Sequence, residues 1–339
     1  MPQILVTGAA GFIGYHLCER LLRAGVEIVG LDNLNAYYSV ELKKARLVRL
    51  EAHAGFTFAQ ADLVDATGLE GLFRQHGFKQ VFNLAAQAGV RHSLKFPMDY
   101  VRANVEGFQN VLECCRRNSV EHLVFASSSS VYGASQQMPF SVHQIADHPL
   151  SVYAASKKAN ELFAHSYSSL YGLPTTGVRF FTVYGPWGRP DMAVYLFADA
   201  IVEGRPIQVF NHGNMERDFT YIDDIVESLV RLGDKPATPN ALWDPKTPDP
   251  ATSYAPYRLY NIGNHSPERL ETVITLIENA LGRKAVREYL PIQPGDVRTT
   301  FADVADLSRD VGFSPSTPID AGIGRFIEWY KEYHRVSPV

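Results

Sequence analysis

A glycine-rich turn between an apolar strand and an amphipathic helix limits most strongly how this chain can fold. Gly8, Gly11 and Gly14 follow the apolar residues 4–6 and open the helical stretch 12–24. Gly8 permits a tight turn, Gly11 lets a ligand approach the backbone, and Gly14 lets the helix pack against the strand. The free N–H groups at the start of such a helix favour an anion such as a diphosphate. The spacing is GxxGxxG rather than GxGxxG, so its position between strand and helix is the stronger argument for a dinucleotide site.

Apolar runs and helical patterns alternate along the first half of the chain. The predicted strands are Ile4–Val6, Glu27–Leu31, Phe56–Ala59, Gln80–Asn83, His122–Ala126 and Thr175–Phe180, and the predicted helices are Phe12–Ala24, Val40–Leu50, Gly68–Gln75, Tyr100–Arg116 and Val152–Tyr171. Strands separated by helices of this length form βαβ units and a parallel sheet covered on both faces. We therefore predict an α/β fold built on a Rossmann-type, doubly wound parallel sheet.

The second half is less regular. Helices are predicted at Ala193–Glu203, Asp223–Leu232, Leu270–Leu281 and Ile319–His334. The segment 234–258 between them holds six prolines. A loop of this length is usually functional or mobile, so the segment is a disordered surface insert, a lid or a dimer contact.

Charge and cysteine content exclude several classes of protein. The 339 residues carry a formal net charge of −4, whereas a nucleic-acid-binding protein usually shows a basic excess. The three cysteines, Cys18, Cys114 and Cys115, form neither a disulfide framework nor a CxxC zinc pattern, so no metal site is expected. No signal peptide and no apolar run of membrane-spanning length is recognisable, and we expect a cytoplasmic protein without membrane or nucleic-acid partners.

Acidic and small residues after the next strands complete a cofactor site. Asp32 ends the second predicted strand, where a carboxylate can accept a hydrogen bond from a ribose 2′-hydroxyl and repels a 2′-phosphate, so NAD is favoured over NADP. The neighbouring Asn33 adds no positive charge. Further candidates follow the third and fourth strands: Asp62 and Leu63 near the adenine, and Leu84, Ala85 and Ala86 beside the cofactor backbone. Each of these could instead be an ordinary turn or packing residue.

A tyrosine, a lysine and a run of serines indicate proton-transfer chemistry. Tyr153 and Lys157 are spaced i, i+4, which places both on one face of the predicted helix. A lysine ammonium near a phenol favours the phenolate, so Tyr153 becomes a candidate general base. The run Ser127–Ser130 follows the fifth strand, at the edge where ligands bind in open α/β sheets. The alternative is a surface tyrosine and a polar turn.

These motifs, in this order, resemble the extended short-chain dehydrogenases/reductases of the nucleotide-sugar epimerase/dehydratase family. Within it the chain is most similar to the UDP-glucuronate 4-epimerases, through the stretch 179–193, RFFTVYGPWGRPDMA, and through Pro250–Ser253, Ala255–Arg258 and Tyr260–Asn264. The resemblance implies an NAD-binding domain at 1–178, to which a segment near 210–235 returns. It also implies a smaller mixed α/β lobe at 179–339 for a UDP-sugar.

The resemblance also assigns roles to single residues. It implies that Tyr153 is the catalytic base, that Lys157 binds the cofactor, and that Ser128 is the catalytic hydroxyl, with Ser129 as an alternative. Arg217 matches an arginine that binds the nucleotide diphosphate, and Asp296 a position near the uridine ribose or diphosphate. We also predict Phe12, Ile13 and Asn104 as cofactor-binding residues.

The implied reaction is the interconversion of UDP-glucuronate and UDP-galacturonate through a 4-keto intermediate, with NAD tightly bound and without decarboxylation. Related galactose-type epimerases carry asparagine where this chain has Thr182, dehydratases an Asp-Glu pair at Ser129 and Ser130, and decarboxylases a glutamate at Ser130. We therefore expect Ser129, Ser130 and Thr182, with help from Arg189, to bind the sugar carboxylate.

Three alternatives remain open: an epimerase of neutral UDP-hexoses or UDP-N-acetylhexosamines, a nucleotide-sugar dehydratase, or a non-catalytic NAD-binding protein. The resemblance further implies a homodimer through the helices Tyr100–Arg116 and Val152–Tyr171.

Overall fold

The computed structural model describes residues 3–336, so residues 1–2 and 337–339, the ends of the two predicted domains, lie outside the described range. Its centre is a seven-stranded parallel sheet of order β10-β6-β5-β4-β1-β2-β3. The strands of this sheet are β1 (Ile4–Thr7), β2 (Ile28–Asp32), β3 (Phe56–Gln60), β4 (Gln80–Asn83), β5 (His122–Ser128), β6 (Thr175–Phe180) and β10 (Tyr257–Ile262). The smaller strands are β7 (Thr182–Tyr184), β8 (Ile207–Phe210), β9 (Glu216–Tyr221), β11 (Pro267–Arg269) and β12 (Arg287–Leu290).

Helices cover the sheet and build the smaller lobe. They are α1 (Phe12–Arg23), α2 (Val40–Glu51), α3 (Ala66–His76), α4 (Val90–Lys95), α5 (Pro97–Tyr100), α6 (Gly107–Arg117), α7 (Val152–Tyr171), α8 (Ala193–Val202), α9 (Ile222–Gly233), α10 (Leu270–Leu281), α11 (Ala305–Val311) and α12 (Ile319–Tyr333). The α/β class and the doubly wound parallel sheet are as predicted.

The two faces of the sheet belong to different hydrophobic cores because successive strand residues point in opposite directions. Val6 packs with the buried face of α1, whereas its neighbour Leu5 packs with residues of α3 and α6. Every residue of β2 and of β6 is buried, as expected for strands covered on both sides. Neither face of these strands is exposed, and this burial explains the apolar runs in their sequences, from which the strands were predicted.

The predicted helix Tyr100–Arg116 differs most from the structure among the helices of the first half. The chain forms α5, then a π-helical turn at Val101–Glu106, and then α6. Asn104, on the π turn, accepts a hydrogen bond from the backbone N–H of Gln87 at 2.8 Å and donates one to its carbonyl at 3.0 Å. The turn therefore faces the loop after β4, and such π turns often occur near functional sites.

The second half crosses between the layers more often than the sequence predicted. Strands β7, β9 and β11 form one small sheet, and β8 pairs with β12 in another. Helix α9 packs against α1, and β10 then adds a strand to the edge of the central sheet beside β6. The sequence predicted that a segment near 210–235 returns to the NAD-binding domain, but it did not predict that β10 joins the central sheet.

The proline-rich segment 234–258 is a packed loop. Asn240 donates its backbone N–H to the Ser253 carbonyl, and the His165 ring bonds the Ser253 hydroxyl at 2.8 Å. Ala251 and Ser253 are fully buried. This packing against α7 argues against the disordered insert, one of the three alternatives that the sequence left open.

Within residues 3–336, no helix combines the length and apolar character needed to span a membrane. Cys18, Cys114 and Cys115 are buried free thiols.

Candidate active site

A cleft of about 1230 Å³ lies at the carboxyl ends of the parallel strands. The turns after β1, β2, β4 and β5 line it on one side, and residues of β7, β8 and β9 line it on the other. Ligands of open α/β sheets bind at this edge. The cleft therefore joins the two halves of the chain in one site.

The glycine turn is shaped by close backbone approaches. Gly8 has a φ of +73°, and a Cβ there would lie 2.8 Å from the backbone nitrogen of Ala85. A Cβ on Gly14 would lie 2.1 Å from the Gly8 carbonyl oxygen. These glycines allow β1, α1 and the loop after β4 to meet, as the sequence predicted from their spacing.

The start of α1 offers an anion site on the cleft. Its N-cap is Gly11, no side chain caps it, and its first turn, which begins with Phe12 and Ile13, contains no acidic residue. The first N–H groups of the helix and its partial positive charge are therefore not neutralised by an acid of that turn. Gly8, Gly11, Phe12, Ile13 and Gly14 all line the cleft.

Asp32 lies at the end of β2, on the same wall. Its carboxylate accepts hydrogen bonds from the backbone of Ala10 at 3.2 Å and of Leu34 at 2.8 Å. Lys43 of α2 has its ammonium 3.9 Å from the same carboxylate. Sequence analysis missed Lys43 because its helix carries no motif, although it is buried and lines the cleft.

The other predicted cofactor residues extend this wall. Asn33 donates to Asp62 at 2.9 Å and thereby joins the loops after β2 and β3. Leu63, Leu84, Ala85 and Ala86 also line the cleft. The wall so formed fits NAD: a diphosphate-sized anion site at α1, a carboxylate at the next strand end, and small residues between them.

Asn104 is the predicted cofactor residue that does not line the cleft. Its side chain is buried and bonded to the Gln87 backbone and to Ser156, so it shapes the loop after β4 from behind. His92 also lines the cleft.

Three turns of α7 face the end of β5. Tyr153 lies beside Ser128, and Lys157 donates to the Ala126 carbonyl at 2.9 Å. One turn later, Glu161 accepts a hydrogen bond from Ser127 at 2.7 Å. Two hydrogen bonds thus connect the helix to consecutive residues of the strand, and they fix Lys157 relative to the end of β5.

A fully buried ion pair between Arg179 and Glu161 lies beneath these residues. Arg179 of β6 donates two hydrogen bonds to Glu161, each of 2.8 Å, and lies over the Tyr132 ring. Burial opposes ionisation of Glu161, but Arg179 holds the pKa of its carboxyl below the ordinary value. The two-pronged geometry suits an arginine and a carboxylate.

The electrostatics of Tyr153 differ from the sequence-based expectation. Burial raises the pKa of Tyr153, while the Ser128 hydrogen bond and then Arg189 lower it. Burial also lowers the pKa of Lys157 to about 8, and the ammonium bonds a backbone carbonyl. In this structure, then, the group that favours the phenolate most is Ser128 rather than Lys157.

Three further hydroxyls line the same cleft as Tyr153 and Lys157. Ser129 and Ser130 begin a short helical turn after β5, and Thr182 begins β7 on the opposite side. All three are half-buried and line the cleft, and no side-chain hydrogen bond within residues 3–336 engages their hydroxyls. They can therefore donate to a polar group of a ligand.

Arg189 is engaged by a neighbouring acid. It forms a two-pronged ion pair with Asp191, which also accepts a hydrogen bond from Tyr37 at 3.0 Å. The predicted help of Arg189 in binding a sugar carboxylate is therefore reduced, because its charge is already paired. Arg189 and Asp191 both line the cleft.

Two further charged candidates lie where the lobes meet. Arg217 of β9 donates to the backbone carbonyls of Glu216 and Arg298, both at 2.9 Å, and burial lowers its pKa. Asp296 forms an ion pair of 3.0 Å with Arg91, whose guanidinium also lies 4.3 Å from the centre of the Phe210 ring. Among residues 3–336 no carboxylate forms an ion pair with Arg217, so its positive charge can bind an anionic ligand, whereas Asp296 is engaged.

No group of three or more histidine, cysteine, aspartate or glutamate side chains within the described part of the chain could hold a metal ion.

Comparison with known proteins places these features in a family. Residues 4–243 match the model of the NAD dependent epimerase/dehydratase family. Protein CapI of Staphylococcus aureus is 54% identical over 333 residues, which cover 98% of this chain and 99% of that protein. A probable UDP-glucuronate 4-epimerase of Rhizobium meliloti is 46% identical, with 98% of each chain covered.

A solved structure shows the same fold. The crystal structure of UDP-glucuronic acid 4-epimerase from Bacillus cereus, in complex with UDP-glucuronic acid and NAD, superposes with a TM-score of 0.86. The two chains are 32% identical, and the match covers 97% of this chain and 99% of the other.

Proposed function

This chain belongs to the NAD dependent epimerase/dehydratase family, and from that premise we propose that it is a 4-epimerase that interconverts UDP-glucuronate and UDP-galacturonate without decarboxylation. It is an NAD-dependent isomerase, and its cofactor stays bound through each turnover. We further propose the division inferred from the sequence, in which residues 1–178 mainly hold the cofactor and residues 179–339 mainly hold the UDP-sugar.

The observation that carries the uronic acid assignment is a set of three hydroxyls that line the cleft together with Tyr153 and that no side-chain hydrogen bond within residues 3–336 engages. Ser129, Ser130 and Thr182 offer three neutral donors, and none of these positions holds a carboxylate. Neutral donors suit an anionic sugar substituent, whereas a glutamate here would repel it. A 4-keto uronic acid is a β-keto acid that can lose carbon dioxide, so holding its carboxylate by several donors restricts it to unproductive orientations.

Tyr153 removes the proton of the sugar 4-hydroxyl and returns it after the sugar has turned. NAD, when bound, supplies the hydride acceptor and donor for carbon 4. The hydrogen bond of Ser128 stabilises the phenolate, and its hydroxyl is placed to hold the substrate oxygen toward Tyr153. Lys157, fixed by the Ala126 carbonyl, keeps a positive charge beside the cofactor wall.

Inversion requires that the sugar rotate while its nucleotide stays fixed. Arg217 supplies a cleft-lining cation that forms no ion pair with a carboxylate of the described residues, which suits a diphosphate. The cleft of about 1230 Å³ joins this cation to Tyr153 and to the cofactor wall in one continuous space.

A product assay tests this proposal. The protein is incubated with UDP-glucuronate, UDP-glucose and UDP-N-acetylglucosamine in turn, and the epimers are resolved by ion-exchange chromatography while carbon dioxide release is measured. We expect UDP-galacturonate to form from UDP-glucuronate without carbon dioxide. Turnover of the neutral sugars alone, a dehydrated product, or no turnover would each replace the proposal by one of the three alternatives.

We also propose a homodimer formed through α7 and through the stretch 100–116, which comprises the π-helical turn and most of α6. Large apolar side chains on these segments are exposed: Leu162 is 59%, Leu170 70% and Val101 40% exposed. Apolar side chains exposed together on adjacent helices mark a protein interface more often than a free surface. The packed loop 234–258 borders α7, so it can take part in the same dimer contact. A role as a lid is disfavoured, because no residue of 234–256 lines the cleft.

We propose a cytoplasmic location, because the three free thiols suit a reducing compartment.

A further inference from the structure

Arg46 of α2 is fully buried. It forms no ion pair with a carboxylate of residues 3–336 and instead donates to neutral oxygen atoms. Its guanidinium donates to the Ala10 carbonyl and to the Tyr38 hydroxyl, both at 2.8 Å, and to the carbonyls of Trp187 and Gly188. Its Nε atom is buried and has no hydrogen-bond partner in the part of the chain that the structure describes. Three separate segments of the chain therefore converge on one cation.

Two of those segments belong to different halves of the cleft. Ala10 is a buried residue of the glycine turn, between Gly8 and Gly11, which line the cofactor wall of the cleft. Trp187 and Gly188 form the turn before Arg189 and Asp191, which line the opposite part of the cleft. Arg46 thus connects the two halves directly.

The turn that Arg46 holds has a constrained backbone. Trp187 has a φ of +58°, a left-handed conformation that side chains other than glycine adopt at a cost. Its ring is fixed among the rings of Tyr15, Trp329 and Tyr333, and its carbonyl by Arg46. The orientation of the next residues into the cleft therefore depends on this carbonyl bond.

The charge of Arg46 also requires an explanation. Carbonyl and hydroxyl acceptors satisfy its N–H groups but supply no negative charge, and a buried charge without a counter-charge is unfavourable. Burial lowers the pKa of Lys43 and of His16, and the positive charge of Arg46 adds to this effect at both groups. A dinucleotide diphosphate at the glycine turn carries the opposite charge.

We propose that Arg46 is a positioning residue that couples cofactor binding to substrate binding. A diphosphate on the glycine turn offsets the buried charge of Arg46, and Arg46 in turn fixes the Trp187–Gly188 turn for the UDP-sugar. Bound NAD therefore raises the affinity for the nucleotide of the substrate. The inference rests on the proposed cofactor and substrate class, but not on the identity of the sugar.

The test measures the dissociation constant of UDP by titration calorimetry, with protein depleted of NAD and with protein saturated with NAD. Coupling of this kind typically amounts to about 5- to 150-fold, so the wild-type protein should bind UDP at least about fivefold more tightly with NAD present. Arg46→Met removes both the charge and the contacts. We expect it to weaken NAD binding at least about tenfold and to bring the ratio of the two UDP constants close to one.

Arg46→Lys separates charge from geometry, because lysine keeps the cation but lacks the planar fork that spans both turns. It should retain most of the NAD affinity and still lose the coupling, and it carries the test alone if Arg46→Met does not fold. Lys44→Met is the matched control on the same helix: the exposed Lys44 ammonium of α2 forms an ion pair of 3.0 Å with Glu41. It should leave the ratio unchanged.

A wild-type ratio of one, or Arg46 variants that keep the wild-type ratio, would overturn the inference. A protein that binds NAD and UDP with the expected coupling but does not epimerise UDP-glucuronate would contradict the proposed function and leave the role of Arg46 standing.

Discussion

Replacement of Thr182 by valine separates binding of an acidic sugar from general damage to the site. Valine has nearly the shape of threonine but lacks the hydroxyl, which is half-buried, lines the cleft and has no side-chain partner within residues 3–336. A hydrogen bond to a charged group contributes about 1.5–3 kcal/mol. Since about 1.4 kcal/mol corresponds to a tenfold change, kcat/KM for UDP-glucuronate should fall roughly 10- to 150-fold.

The comparison substrate is UDP-glucose, which has a neutral hydroxymethyl group in place of the carboxylate. Its kcat/KM in Thr182→Val should change much less, and the ratio of the two specificity constants is the measured quantity, taken from initial rates with chromatographic separation of the epimers. Thr220→Val is the control, since Thr220 lies on β9 beside β7, is fully buried, has an unpartnered hydroxyl and does not line the cleft. Equal losses for both substrates in Thr182→Val would refute the carboxylate assignment.

Four further changes test other parts of the site. Tyr153→Phe should lower kcat by roughly 100- to 10,000-fold with NAD still bound, and unchanged turnover would remove the assigned base. Glu161→Gln leaves the buried Arg179 without its counter-charge and should lower the free energy of unfolding by about 3–5 kcal/mol in urea titrations; a loss below 1 kcal/mol would contradict the buried pair. Burial lowers the pKa of Lys157 to about 8 from an ordinary 10.5. Between these two pH values the unfolded chain binds one proton more than the folded chain, so the free energy of unfolding should rise with pH, by up to about 3 kcal/mol. Urea titrations at each pH measure this rise, and Lys157→Met should lack it. Leu162→Glu should convert the proposed dimer to monomer in light scattering, and an unchanged mass would place the interface elsewhere.

The cofactor half of the molecule could be predicted because its signals are local and repeated. The spacing of Gly8, Gly11 and Gly14 is demanded by backbone approaches that the structure shows, and the apolar runs of the central strands reflect burial on both faces. The helix Val152–Tyr171 was predicted with its observed bounds, since Ser151 caps it and Gly172 ends it.

Other features depend on contacts between distant segments. The pairing of Arg189 with Asp191 and the carbonyl bond of Lys157 depend on side-chain geometry that no periodicity encodes. The small strands β7 and β11 have three residues each, too short for an alternating pattern. Arg46 carries no motif, because its acceptors are backbone carbonyls far along the chain.

The order in which the strands of the central sheet are synthesised has a consequence for the nascent chain. Strand β6 pairs with β5 on one side, but its partner on the other side, β10, leaves the ribosome only after the whole segment 181–256. Until then the buried edge of β6 offers unpaired backbone groups to any neighbouring strand. A fragment of residues 1–178 lacks β10, so its β6 edge would stay unpaired and the fragment should aggregate. A fragment that extends beyond Ile262 contains β10 and can pair it with β6.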